Sequence, residues 1–146
     1  MPTDVKYLRD FPCFRGLTDQ QLETIAPITT AVCYPADYVL FEEDQPGDRL
    51  FFLLRGKIEV DYNIGEAGQV RVDTIFGNDV AGWSALGLPY TYTATERSLT
   101  EVEVLEVDAK ALRDLMHRDC QFGMALQDQL IAMLMDRILN LRLELA

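Results

Sequence analysis

The chain contains one histidine, His117, so no histidine-assisted nucleophile, triad or two-histidine metal site can be assembled within it. Its position reads as a cation in the last turn of a helix, near a chain reversal expected at Gly123, where the helix dipole favours positive charge. The three cysteines, Cys13, Cys33 and Cys120, are far apart and form no C-x-x-C pair. That usage encodes neither a disulfide framework nor a zinc knuckle, and fits a reducing cytoplasm. Glu42, Glu43, Asp44 and Asp48 gather carboxylates in one short stretch but lack the D-x-D-x-D-G spacing of a calcium loop, and read as a solvated turn. No phosphate-binding P-loop, G-x-S-x-G elbow or G-x-G-x-x-G run occurs. Nothing here supports catalysis, and the chain is expected to be no enzyme and to hold no metal or cofactor.

Composition narrows the remaining classes. A chain of 146 residues, 49% hydrophobic and 25% charged, is long enough for one domain with its own core. Thirteen Lys and Arg against twenty-four Asp and Glu leave a net charge of -11, which repels a phosphate backbone, so nucleic acid is not an expected partner. The N-terminal stretch mixes charges of both signs, and the longest apolar runs, such as Leu130 to Met135, fall far short of a bilayer span. Neither a signal peptide nor a membrane span is expected.

The pattern along the chain divides one domain, residues 1–146, into N-terminal helices at about 4–27, a β-roll at about 30–107 and C-terminal helices at about 108–146. Thr18 and Gln21 are spaced as a capping box, so a short helix should start at about Asp19 and stop near Pro27. Strand-rich runs follow at 38–41, 50–54, 57–62, 69–75, 90–95 and 101–107, separated by turn formers such as Pro46-Gly47-Asp48 and Arg55-Gly56. Ile58, Val60 and Tyr62 alternate with Lys57, Glu59 and Asp61, which predicts one buried and one wet face; the alternation around Val102 and Val104 slips at Leu105. This rhythm belongs to an antiparallel β-roll rather than to βαβ units. Asp108 can cap a helix carrying Leu112, Leu115 and Met116, and beyond Gly123 no proline or glycine interrupts the chain up to Leu145. In this last helix Ile131, Leu134, Ile138, Leu141 and Leu145 step by three and four, the a/d spacing of a parallel dimer, while Leu126, Leu130 and Met133 form a second stripe. One stripe is expected to pack on the roll and the other on the helix of a second copy; the alternative is that both pack internally.

In this order of elements, the segments DFPCFRGLTDQQLETIA, YPADYVLFEEDQPGDRLFFLLRGKIEV, FGNDVAGWSAL, YTYTATERS and EVEVLEVDAKAL resemble the cyclic nucleotide-binding domain family, the sensor module of catabolite activator proteins, cyclic-nucleotide-dependent kinases and gated channels. The resemblance runs from Leu8 to Leu145, with Pro46-Gly47-Asp48, the following apolar strand and Arg55-Gly56 as its most specific part. It implies a mainly β fold, a double-stranded β-helix or jelly-roll barrel of eight strands with flanking helices, whose long C-terminal helix serves dimerisation and signalling.

The family's ligand site is a phosphate-binding cassette, a short helix after a glycine whose free amides meet the cyclic phosphate. By this resemblance Gly82, Trp83, Ser84 and Ala85 occupy the cassette, and Tyr92, Thr93 and Ala94 the strand facing it. The family pattern places a glutamate after the glycine, to accept a bond from the ribose 2′-hydroxyl, and an arginine before the Ser/Thr-Ala pair, to bind the phosphate. This chain has Trp83 and Tyr92 at those positions. Loss of one partner of a buried charged bond typically costs about 2 to 5 kcal/mol, so binding of cyclic AMP or GMP in the usual mode is not expected. Two readings of the pocket stay open: a different, flatter or less anionic ligand held by stacking and hydroxyl bonds, or a closed core filled by Trp83 and Tyr92. Haem-binding relatives, which use a histidine or cysteine with a proline N-terminus, bring in Pro2, Cys13, Cys33, Cys120 and His117 as a minor alternative. In transcription-factor relatives a helix-turn-helix follows the long helix; this sequence stops at Ala146, and the expectation is a regulatory domain without that module. It would act through a partner protein or a non-standard small ligand, with a genuine cyclic nucleotide sensor built on a rearranged cassette as the alternative.

Overall fold

The computed structural model describes residues 5–145, with side chains from Lys6 to Leu143. The first helix, α1, is Val5–Leu8, and Pro12–Phe14 makes one 3-10 turn. The capping box forms as the spacing predicts: Thr18 Oγ1 accepts the Gln21 N–H at 3.2 Å and Gln21 Oε1 accepts the Thr18 N–H at 2.9 Å. It starts α2 at Asp19–Ile25, and Pro27 lies in the 3-10 turn that follows. Asp108 likewise caps α3, Ala109–Arg118, by accepting the Ala111 N–H at 3.0 Å.

Eight strands lie between these helices: β1 Thr29–Tyr34, β2 Val39–Phe41, β3 Arg49–Arg55, β4 Ile58–Asn63, β5 Gln69–Ile75, β6 Val80–Ala81, β7 Thr95–Ser98 and β8 Val102–Asp108. They form two antiparallel four-stranded sheets, ordered β1-β8-β3-β6 and β2-β7-β4-β5. This is the jelly roll that the resemblance implies, with the qualification that the two sheets are not hydrogen-bonded into a closed barrel. The strand expected at 90–95 lies later, at Thr95–Ser98. Residues before it bond instead to the turn ahead of β3, where Gly47 N–H reaches Tyr90 O at 2.7 Å and Tyr92 N–H reaches Gln45 O at 2.9 Å.

Two expectations of burial fail for physical reasons. On β4, Glu59 and Asp61 are buried although their face was expected to be wet. Arginine side chains cover that face: Arg97 binds Glu59 Oε2 at 2.7 Å and Arg71 lies 3.6 Å from Glu59 Oε1. Tyr62, in phase with the buried Ile58, is exposed, because the inner face of β4 opens into a cavity at that end. On β8 the slip at Leu105 reflects burial of both faces. Leu105 pairs with Phe52 on β3, and Phe52 in turn meets the rings of Phe11 and Phe14 at centroid distances of 5.2 and 4.7 Å. The N-terminal segment thus seals the outer side of this sheet with an aromatic cluster, a large apolar burial in a specific edge-on geometry.

The last helix, α4, runs from Cys120 to Leu145. The chain reverses at Asp119, which ends α3, so Gly123 lies inside α4 rather than at the turn. Its role is close approach: a Cβ at Gly123 would stand 2.6 Å from Met116 O. Leu126 and Leu130 are buried in the core and Met133 packs against it partly buried, so this stripe, joined by the buried Phe122, is an internally packed one. In an exposed helix, glycine to alanine adds about 1 kcal/mol of stability. Here Gly123→Ala should instead destabilise by about 1 to 3 kcal/mol, because the methyl meets a fixed carbonyl; the midpoint of urea unfolding checks the sign.

Candidate functional site

A cavity of about 340 Å³ lies between the inner face of the β4–β5 pair and the second half of α4. Val60, Val72 and Ile75 give it an apolar floor, Trp83 and Ser84 one end, Thr93, Ala94 and Glu96 a side, and Leu134, Ile138 and Leu141 a roof. Its size is in the range of small-ligand pockets.

The register of β4 and β5 explains which side chains face it. Val60 pairs with Asp73 and Ile58 with Ile75, so Asp73 shares the inward phase of Ile75. A bulge between Val60 and Asp61 leaves Val72 unpaired at the cavity edge. From the roof, Arg137 reaches down with both terminal nitrogens: Nη1 donates to Asp73 Oδ2 and Nη2 to Asp79 Oδ2. This double ion pair ties α4 to β5 and to the turn before β6.

Beside it stands Glu96, only 5% exposed. Its Oε2 accepts the Gly82 N–H at 3.2 Å, whereas Oε1 has no hydrogen-bond partner among the described residues. Burial pushes the carboxyl up to about 8, against the opposing pull of the Gly82 amide and the Arg137 charge. Glu96 therefore holds its proton at neutral pH. Arg137 Nε, also lining this space, is likewise buried and unpartnered.

The cassette residues are brought together, but not in the arrangement that the resemblance implies. Gly82 adopts φ 78°, a left-handed conformation natural to glycine, and caps a single 3-10 turn, Trp83–Leu86. Its amide is taken by Glu96, and the Thr93 N–H by Ser84 Oγ at 3.2 Å. Trp83, Ser84, Thr93 and Ala94 line the cavity; Ala85 and Tyr92 do not. Ala85 is locked beneath Gly47, and its carbonyl accepts from Arg113 of α3 at 2.8 Å. The Tyr92 ring turns away into the core, where it stacks on Phe41 at 3.8 Å while its hydroxyl donates to Arg49 O at 2.7 Å and accepts the Arg49 N–H at 3.0 Å. Tyr92 and Trp83 thus leave the cavity open, contrary to the reading in which they fill it.

The a/d stripe of α4 is also divided. Leu134, Ile138 and Leu141 border the cavity, although Ile138 and Leu141 keep much of their surface in solvent. Ile131 is 55% exposed and lines no part of it. The side chain of Leu145 lies outside the described residues, as does Pro2. Of the residues considered for haem, Cys13 is buried in the core with its thiol pushed up to about 12 by burial, Cys33 and Cys120 are exposed, and His117 Nδ1 lies 2.7 Å from Arg113 O.

Glu96, Arg137, Asp73 and Asp79 were not singled out from the sequence, yet a signal existed for three of them. Glu96 continues the inward phase of Tyr92 and Ala94, Asp73 that of Ile75, and Arg137 lies one residue before Ile138 in the roof stripe. A charged residue in phase with a core face marks a special site.

The chain matches the pattern described as "Cyclic nucleotide-binding domain" over residues 31–119. It is 28% identical over 101 residues to the CRP-like cAMP-activated global transcriptional regulator of Mycobacterium tuberculosis, covering 68% of this chain and 45% of that one. It therefore spans less than half the length of that relative. A solved structure from Geobacter metallireducens GS-15, by name a provisional cyclic nucleotide-binding protein, aligns with a TM-score of 0.85 and 29% identity over 93% of this chain and 98% of that one. The catabolite activator protein of Thermus thermophilus shares the fold, with a TM-score of 0.72 and 19% identity over 92% of this chain and 61% of that one. Among the described residues no helix is long and apolar enough to cross a membrane.

The raised Glu96 carboxyl sets a pH dependence with a definite sign. The folded chain keeps this proton up to about 8 and the unfolded chain releases it near 4.5, so stability is lost as pH rises through that window. Thermal or urea unfolding from pH 5 to 9 should show stability falling by up to roughly 1.4 kcal/mol per pH unit from this group, and Glu96→Gln should flatten the profile.

Proposed function

The chain belongs to the cyclic nucleotide-binding domain family, and we propose that it acts as a non-catalytic regulatory domain whose sensing site is the cavity beneath α4, without holding a cyclic nucleotide in the family's usual mode. The observation that supports this most is the Glu96 carboxyl on the Gly82 amide. A cyclic phosphate at that amide would have to displace a buried acid, and the second nearby amide, that of Thr93, is occupied by Ser84. The positions that the family fills with a ribose-binding glutamate and a phosphate-binding arginine carry Trp83 and Tyr92, and the Tyr92 hydroxyl is committed to the Arg49 backbone. Arg137, the cation at the cavity, has its terminal nitrogens on two carboxylates and is poorly placed to replace the missing arginine.

A regulatory domain needs an output, and α4 offers one. Ile131, Met135, Leu139 and Leu143 are all exposed and follow one another at four-residue intervals, a ridge along one side of the helix. Such an i±4 ridge can pack into the groove of the same helix of a second copy, so that a change in the cavity roof is felt at the dimer contact. A partner protein seated on the same ridge is the competing occupant.

Calorimetric titration with cyclic AMP and cyclic GMP should give no saturable heat below about 100 μM, since two lost charged contacts shift a micromolar site by about three decades. A dissociation constant near 10 μM for either nucleotide would replace this reading by the rearranged-cassette sensor. Sedimentation at about 50 μM should show a dimer that Ile131→Glu with Met135→Glu converts to monomer. A wild-type monomer at that concentration removes the homodimer from the proposal.

A further inference from the structure

Two side chains that line the cavity each carry a buried polar atom without a hydrogen-bond partner among the described residues, Glu96 Oε1 from β7 and Arg137 Nε from α4. Such atoms are uncommon in folded chains, because an unmade bond away from water is costly. Both want an acceptor. A guanidinium has only donors, and with Nη1 on Asp73 and Nη2 on Asp79 the Nε–H is left without a partner. Glu96 is only 5% exposed and keeps its proton at neutral pH; since Oε2 already accepts the Gly82 N–H, that proton belongs on Oε1, which makes it a second donor. Charge then decides which acceptor fits. The charged groups that act on Glu96 are Arg137 from α4, Asp73 from β5 and Asp79 from the turn before β6. One guanidinium stands against two carboxylates, so an anion would add a third negative charge in a chain of net charge -11. An ammonium ion has no lone pair to offer, and a hydroxyl accepts but brings a proton that needs an acceptor of its own. A carbonyl oxygen has two lone pairs and no proton, so it takes both donors and adds none. The walls suit the rest of such a molecule, with Val60, Ile75, Leu134 and Ile138 on floor and roof and the Trp83 indole at one end.

We infer that the cavity takes a small neutral carbonyl compound, its oxygen accepting from Glu96 Oε1 and Arg137 Nε and its apolar body lying between the β4–β5 floor and the α4 roof. The inference rests on the proposed sensing site beneath α4 and gives its ligand a chemical class. Nη1 and Nη2 keep their aspartates when Nε donates to the ligand, so the bond does not compete with the ion pairs that dock the helix. Ile138 and Leu141 keep much of their surface in solvent, so the roof offers the way in. No proton is exchanged at neutral pH, because Glu96 binds the ligand in the form it already holds.

Two probe series vary the head group on a fixed body: 4-phenyl-2-butanone with the matching alcohol, amine and 4-phenylbutanoate, and 2-heptanone with the matching alcohol, amine and heptanoate. Calorimetry at pH 7 on the wild-type chain should place the ketone first in at least one series, about threefold or more tighter than the alcohol and about tenfold or more tighter than the amine and the acid. Glu96→Gln keeps a carbonyl for the Gly82 N–H and an N–H donor in place of the acid proton, and should hold the ketone within about threefold, whereas Glu96→Leu should weaken it about tenfold or more. Ionisation of Glu96 above about 8 removes the donor, so from about pH 6.5 to 9.5 ketone affinity should fall about tenfold or more in the wild type and stay level in Glu96→Gln. Should Glu96→Leu fail to fold, the contrast between these two pH profiles carries the test. An alcohol, amine or acid that binds as tightly as its ketone overturns the inference, as do silence from both ketones at about 1 mM and a pH profile that the wild type and Glu96→Gln share. None of these results touches the cyclic nucleotide titration, so saturable cyclic AMP binding with silent ketones refutes the underlying reading, whereas silence from both refutes the carbonyl class alone.

Discussion

The second half of α4 is tied to the roll by a single guanidinium. The first half of the helix is held by ordinary burial of Phe122, Leu126 and Leu130, but from Ile131 onward most of its side chains are exposed. In this second half Arg137 is the residue that reaches the roll with charge, and it reaches two places at once, Asp73 on β5 and Asp79 beside β6. Asp73 lies in one sheet and Asp79 in the turn that leads into a strand of the other, so the ion pairs tie the roof of the cavity to both sides of the roll. A partly buried pair of this kind adds modest net stability, because desolvation offsets most of the attraction, yet removal of one partner is expensive. Its effect is to select one geometry for a helix that apolar packing alone leaves unpinned at this end.

That geometry then decides the state of Glu96. With α4 in place the carboxyl is cut off from solvent, and the loss of hydration outweighs the nearby positive charge, so the group is neutral where an exposed glutamate would be ionised. The neutral acid is compatible with the Gly82 amide on Oε2, and the left-handed Gly82 orients that amide while starting the Trp83–Leu86 turn. From there the constraint passes outward. Ala85 O and Gly47 O both accept from Arg113, whose guanidinium also lies 4.3 Å from the centre of the Tyr90 ring, so α3 is coupled to the same turn. α3 is thereby tied by polar contacts to the same short loop that Glu96 holds from β7.

Much of this architecture was legible from local chemistry. Caps at Thr18 and Asp108 depend on three-residue spacing and a single hydroxyl or carboxylate, and nothing distant overrides them. The jelly roll followed from the resemblance carried by the segments between Leu8 and Leu145. Burial was harder to read where a face meets something the sequence does not place beside it. Glu59 looked solvated because Arg97 and Arg71 cover it from other strands, and Leu105 looked like a slip because Phe11 and Phe14 arrive from the far N-terminus. Tyr92 was assigned to the ligand pocket by its place in a motif, but its ring obeys the better offer of Phe41 and the Arg49 backbone. The centre of the site was hidden for the same reason: Glu96 and Arg137 are ordinary residues of a strand and a helix until the fold sets a cavity between them.

The division of the α4 stripe has a consequence for how such a domain can signal. Ile138 and Leu141 present part of their surface to the cavity and part to solvent on the side of the exposed ridge. A body inserted beneath them and a helix packed on the neighbouring ridge would therefore act on the same stretch of α4. Two occupants on adjacent faces of one helix segment would be coupled through its position, and such coupling is reciprocal: whatever occupancy of the cavity did to the affinity of the outer face, occupancy of the outer face would do to the cavity. The size of the effect is limited by how differently each occupant treats the two positions of the helix, docked by Arg137 or released from it. A ligand that leaves the Arg137 ion pairs intact stabilises the docked helix. One that competed for Asp73 would loosen the second half of α4. If the cavity is the sensing site proposed above, the sign of regulation would be set at the aspartates, by the charge on the ligand, rather than at the apolar walls.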